Sequence, residues 1–235
     1  MRDEANKNDL FAFLAKETGK CKVPGKYIVS THHQNVVCSS EGVFLGDLEP
    51  CTHEEADTRL LLHAADCVKQ GHTKVVIQTA DTDVAVLAIS ISQQVGAEEL
   101  WLVFGTGKSF RRIPVHEIAS TLGKEKCRAL PIFHSVTGCD TVSFFNGKGK
   151  LSAWEAWMAF PQVTSAFLVL ADCKEEVSTS TFESIERFIV LMYQRNSLCT
   201  FSSLGLPFIR SKAQSVSKHN KKYPKRGFKT RTRLW

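Results

Sequence analysis

Five carboxylates in this 235-residue chain occupy positions from which acidic side chains do metal chemistry: Glu55 and Asp57, Asp81 and Asp83, and Asp140. The first pair falls in the first turn of an expected helix and the second just past a β-branched apolar run. Asp140 ends Thr137-Gly138-Cys139-Asp140, after another helical stretch. In open α/β sheets, functional groups gather at the carboxyl ends of strands, where loops of adjacent crossovers share one crevice, so three acidic segments can converge there. Crowded carboxylates repel unless a cation neutralises them. Mg²⁺ or Mn²⁺, hard ions that prefer oxygen and retain water, are therefore the expected cofactors. Two such ions about 3.5 to 4 Å apart activate a water and stabilise the leaving oxygen of a phosphodiester. Each acid also has a plainer role: Asp83 as a helix N-cap, Glu55 and Asp57 as complements to a helix dipole, Asp140 as a turn residue. Those roles, taken singly, do not account for D-x-D directly after a strand, with E-x-D one element back and G-C-D beyond.

The elements that must hold these acids are legible between about residues 50 and 160. Residues 52 to 69 carry Ala56, Leu60, Leu61, Ala64 and Val68 as a helical stripe ended by Gly71. Lys74 to Thr79 reads as a strand buried on both faces, and Asp83 as the cap of a helix over Val84 to Val95, closed by Gly96. Leu100 to Phe104 is a second buried strand, followed by the Gly105-Thr106-Gly107-Lys108 turn and a return run from Phe110 to Val115. This order predicts a βαβ crossover and a mainly parallel sheet flanked by helices. Helices are expected over 116–122, 126–136, 151–160 and 182–193, with Trp154 and Trp157 as core anchors and His134 as a structural histidine. Before residue 50, Phe11, Phe13 and Leu14 point to a helix, and residues 27–30 and 36–38 to strands. The expected domains are an ill-defined segment 1–47, a core 48–160, a helical segment 161–209 and a basic disordered tail 210–235.

Composition fits a soluble globular protein: 43% hydrophobic residues, with 30 Lys and Arg against 24 Asp and Glu. The charge is uneven. Residues 210–235 hold ten bases and no acid, leaving 20 bases against 24 acids in the rest. Such a tail suits a polyanion partner or nuclear import, and equally a solvated terminus. Neither a secretory leader nor a long apolar run is present, so an intracellular, nuclear protein without a membrane segment is expected. The eight cysteines form no C-x-x-C pair and read as reduced core thiols. His53-Glu54-Glu55 lacks the second histidine of a zincin, Leu102 stands where a Walker A loop needs glycine, and no G-x-S-x-G occurs.

Taken in order, Glu55-Ala56-Asp57, Asp81-Thr82-Asp83, Gly138-Cys139-Asp140 and the run Phe145-Asn146-Gly147-Lys148-Gly149-Lys150-Leu151-Ser152-Ala153 resemble the PIN-like nucleases of the flap-endonuclease group. That family carries E-A-E-A, D-x-D, G-C-D-Y and a G-x-G-containing helical turn. Here Asp57 replaces the second Glu and Thr141 the Tyr. The resemblance spans roughly residues 48 to 160 and includes Leu122-Gly123. It implies that Glu55, Asp57, Asp81, Asp83 and Asp140 bind two Mg²⁺ or Mn²⁺ ions, with Asp81, Asp83 and Asp140 catalytic. It further implies that Gly147, Lys148, Gly149 and Lys150 grip a phosphate backbone. The family opens with a strand ending in another metal-binding Asp, whereas Asp3 and Asp9 lie in a polar start and Asp47 follows only Val43-Phe44-Leu45. The chain is thus expected to match the later part of such a domain. The expected function is that of a metal-dependent nuclease-like protein acting on DNA or RNA, in truncated or inactive form where the absent acid is needed. The alternative is a non-catalytic nucleic-acid-binding or interaction module derived from a mobile-element gene.

Overall fold

The computed structural model describes residues 4–46, 48–53, 55–140, 142–172 and 177–194. The basic tail lies outside them, as does Thr141. The chain divides into two compact units, one ending at His72 and the other beginning at Thr73.

In the first unit, helix α1 (Glu4–Lys20) precedes an antiparallel hairpin of β1 (Val29–His32) and β2 (Asn35–Cys38), and helix α2 (Ala56–Lys69) follows. The hairpin pairs His32 with Asn35 across a two-residue turn in which His33 takes a positive φ of 50°. Tight hairpins need that left-handed geometry because it matches the twist of the flanking strands. Ser39 closes the hairpin base: its Oγ accepts from Ile28 N at 2.9 Å, and its own N–H donates to Ile28 O at 2.9 Å. The buried residues are few and small, including Ala15, Leu48, Cys51, Leu61, Ala64 and Ala65. Helix α1 is correspondingly weakly anchored, with Phe11 and Phe13 46% and 59% exposed.

The second unit is built on a three-stranded sheet ordered β3 (Lys74–Thr79), β4 (Glu99–Phe104), β5 (Arg111–Pro114). Strands β3 and β4 run parallel in register Lys74 to Glu99, joined by helix α3 (Thr82–Val95), so the expected crossover forms. Gly96 ends α3 with φ 72°, a conformation that costs other residues steric strain. The return run is β5, antiparallel to β4. The sheet is therefore mixed, one parallel and one antiparallel pair, within an α/β fold. Burial of β3 departs from the expectation: Val75 and Ile77 are buried, whereas Val76 on the opposite face is 62% exposed. The β-branched run reflects strand propensity there and not burial on two sides.

Beyond the sheet come α4 (Val115–Leu122), α5 (Lys124–Val136), α6 (Lys150–Ala159), α7 (Val163–Asp172) and α8 (Thr179–Tyr193). Helix α4 packs on β4, and α5 packs against both α3 and α7. The main core joins α5 to α8 through aromatic contacts: Phe133 stacks on Trp157 at 4.8 Å, and Phe167 meets Phe188 edge-on at 5.4 Å. Trp157 is buried and its Nε1–H donates to Thr164 Oγ1 at 2.9 Å, which removes the cost of an unpaired indole N–H. Trp154 packs partly buried beside it. No helix among the described residues is long and apolar enough to cross a membrane.

Truncating Phe167, which is fully buried, is expected to cost about 3–5 kcal/mol. Val76→Thr on the open face should stay within about 0.5 kcal/mol of wild type. Urea unfolding followed by tryptophan fluorescence measures both.

Candidate functional site

The carboxyl end of β3 is where the site begins. Thr79 is the last strand residue, and its Oγ1 accepts the Asp81 N–H at 3.0 Å, turning the chain toward α3. Asp81, with φ −96° and ψ 130°, is the N-cap: its Oδ1 accepts from Asp83 N at 2.8 Å. The cap expected of Asp83 thus belongs to Asp81, because the helix starts at Thr82, two residues sooner than the apolar run suggests. Asp83 is thereby moved into the first helical turn, where the partial positive charge of the helix N-terminus favours a carboxylate.

From that place Asp83 reaches α5. Nε2 of His134 donates to Asp83 Oδ1 at 2.9 Å, with the imidazole side chain only 12% exposed and the carboxylate 39%. The histidine read as merely structural is therefore the partner of a candidate metal-binding acid. No spacing signal points to it, since 51 residues separate the two.

A third element closes on the pair. Lys150, the first residue of α6, donates from Nζ to His134 O at 2.6 Å and to Thr137 Oγ1 at 2.7 Å. Thr137 in turn donates to Phe133 O at 2.7 Å. Lys150 is exposed as a residue, but its ammonium is held against α5, 5.9 Å from the Phe133 ring centroid. Burial of that ammonium pushes the Lys150 pKa down to about 8, while the Cys139 thiol and the Asp83 carboxylate act in the opposite direction. Asp83 from the start of α3 and Lys150 from the start of α6 thus both bond His134 of α5, the first at its imidazole and the second at its backbone carbonyl.

Asp140 stands on a turn directly after α5. Cys139 N donates to Val142 O, and Val142 N to Cys139 O, each at 3.0 Å, and Asp140 is exposed beside this bridge. Gly138 makes the turn possible: its φ is 102°, and an added Cβ would lie 2.6 Å from Phe144 Cβ. The Asp140 carboxylate makes no hydrogen bond or ion pair among the described residues.

The Gly147–Lys150 turn is also in place. Lys148 N donates to Phe145 O at 3.1 Å, Gly147 takes φ 69°, and Gly149 is the N-cap of α6 without a side-chain cap. Lys148 Nζ lies 5.4 Å from the Tyr193 ring centroid, and the Tyr193 hydroxyl donates to Asn146 O at 3.1 Å. The two lysines consequently differ: half-buried Lys148 sets its ammonium over the Tyr193 ring, whereas the Lys150 ammonium is bonded to α5.

Glu55 and Asp57 belong to the first unit, and Asp81, Asp83 and Asp140 to the second. Glu55 is the N-cap of α2 without a side-chain cap bond, and Asp57 lies in the first turn of that helix. Among the described residues, no three His, Cys, Asp or Glu side chains are grouped as a metal ion would require. Asp81 and Asp83 each keep one carboxylate oxygen outside the bonds described, which fits a hard cation that retains most of its water. The Lys150 ammonium is a competing positive charge for Asp83.

Comparison with family models, with curated proteins and with solved structures finds no match to this chain.

Side-chain NMR should give Lys150 a titration midpoint near 8, well under the ordinary lysine value of 10.5. Asp83→Asn removes a charge that holds the ammonium protonated, so the midpoint should move lower still. Because the folded chain releases this proton more readily than the unfolded one, the contribution of Lys150 to stability should rise with pH between about 8 and 10.5.

Proposed function

We propose that the second unit is a metal-dependent nuclease-like module that acts on the phosphodiester backbone of DNA or RNA. The observation that supports this most is the placement of Asp81 and Asp83 at the carboxyl end of a parallel strand, with Asp83 fixed by His134. The Asp140 turn projects from the end of the same helix that carries His134. That is the crevice in which α/β sheets assemble their chemistry.

In this reading Asp81, Asp83 and Asp140 hold the divalent ion. Bound there, such an ion lowers the pKa of a water and neutralises charge on the leaving oxygen. The chain's own groups do the rest. His134 holds Oδ1 of the Asp83 carboxylate, which leaves Oδ2 for the ion. The exposed backbone N–H groups at the start of α6 face a phosphate, as helix N-termini do. Lys148 adds salt-dependent attraction to the same surface.

A second reading is favoured by the pairing of Asp83 with His134 and the nearness of Lys150: these satisfy the acid without any metal. The unit would then be a non-catalytic nucleic-acid-binding module. The polyanion and nuclear roles proposed for residues 210–235 suit either reading.

Cleavage of single-stranded, duplex and branched DNA and RNA in Mg²⁺ or Mn²⁺ separates the two. The nuclease reading requires metal-dependent cleavage that falls at least about 100-fold in Asp83→Asn and in Asp140→Asn. Binding of the same substrates without cleavage, unchanged by either substitution, would establish the second reading.

A further inference from the structure

The first unit holds a cleft of about 1040 Å³ bounded by α1, the hairpin and α2. Its volume lies at or above the upper end of small-molecule pockets, about 1,000 Å³, and it is open to solvent, which suits a segment of polymer better than a metabolite. Charge decides what kind. None of the residues that line the cleft is Asp or Glu, whereas Lys7, Lys26 and Arg59 all do.

None of these three cations has a carboxylate partner among the described residues. Arg59 spends its Nε–H on His53 O at 2.6 Å, which orients the guanidinium and leaves its terminal N–H groups for a ligand. Lys7 Nζ lies 5.7 Å from the Phe11 ring centroid. Asp66, the buried acid of α2, is not a lining residue. Imidazoles add polarity without negative charge. His63 bonds to Thr31 Oγ1 at 3.2 Å, and burial holds its pKa below the ordinary value, with the Asp66 carboxylate opposing the shift and Arg59 adding to it.

Beside the cations lie flat faces. Phe11 and Tyr27 line the cleft, with 46% and 36% of their surfaces exposed. The combination of a positively charged groove and accessible aromatic rings is the one by which proteins hold unpaired bases and the strand that carries them. We propose that this cleft binds single-stranded nucleic acid, with Lys7, Lys26 and Arg59 on phosphates and Phe11 and Tyr27 against bases. The site is separate from the acids of the second unit and does not depend on their role.

Fluorescence anisotropy of the full chain with a labelled 12-nucleotide oligothymidine, in EDTA, tests this without metal chemistry. Lys7→Ala with Lys26→Ala should weaken binding at least about ten-fold and reduce the slope of log affinity against log salt by about 1.4. Phe11→Ala should weaken it about ten-fold with little change in slope. Asp83→Asn and Asp140→Asn should bind as wild type, so failure here and failure of the nuclease reading are distinguishable. Lys69→Ala with Lys124→Ala is the charge-matched control, since both side chains are exposed and outside the cleft. Circular dichroism confirms that each variant is folded. Equal losses in the control and in the Lys7 and Lys26 variant would overturn the proposal. So would a duplex, or a polyglutamate peptide, that binds as tightly as the oligothymidine.

Discussion

A 2.9 Å hydrogen bond from His134 to Asp83 ties the start of α3 to the end of α5, and the arrangement of the candidate site depends on it. Helix α3 is the crossover of the parallel pair, so its N-terminus is fixed by the sheet. Helix α5 is fixed by the aromatic core through Phe133. The bond therefore joins two rigid bodies, and it sets the Asp83 carboxylate and the turn bearing Asp140 at the ends of two packed helices. Lys150 strengthens the same junction from α6 by donating to the His134 carbonyl, one of the last of α5, which a helix leaves unsatisfied, and to the Thr137 hydroxyl. A catalytic or binding group held this way loses little rotamer freedom when a ligand arrives.

Most of the second unit was legible in the chain before its structure. The strands at 74–79 and 99–104, the crossover helix and the Gly96 stop all carry local signals, namely β-branched runs, helical stripes and a glycine in the left-handed region. Burial was misread at β3, because composition cannot distinguish a strand covered on both faces from one with strong β propensity and an open side. The start of α3 shifted for a local reason: Asp81 and Asp83 are both good caps, and only the backbone at Ala80 and Asp81 decides between them. The partnership of His134 with Asp83 was beyond reach because it depends on how α3 and α5 pack. The resemblance implies that Lys150 grips a phosphate, whereas its ammonium bonds the His134 carbonyl and the Thr137 hydroxyl. Its inward turn follows from its position at the start of α6, one turn-length from the exposed carbonyls of α5.

The first unit was the least legible. Its strands are four residues each, its buried residues are mostly small, and α1 leaves its larger side chains exposed, so periodicity carries little information. The same scarcity of packing leaves a basic cleft with uncovered rings. The two units thus differ in charge chemistry: Asp81 and Asp83 stand at the carboxyl end of β3 in the second, and Lys7, Lys26 and Arg59 line the cleft of the first. The two proposals concern the same class of ligand, one through a hard cation and the other directly.

The central claim is that Asp81, Asp83 and Asp140 hold a divalent ion at one place in the second unit. Paramagnetic broadening by Mn²⁺ in amide NMR spectra tests it most directly. The account predicts that substoichiometric Mn²⁺ selectively erases the signals of Asp81 to Asp83 and Cys139 to Val142, and that Mg²⁺ restores them. Broadening confined to other acidic residues, or uniform across the surface, would contradict it.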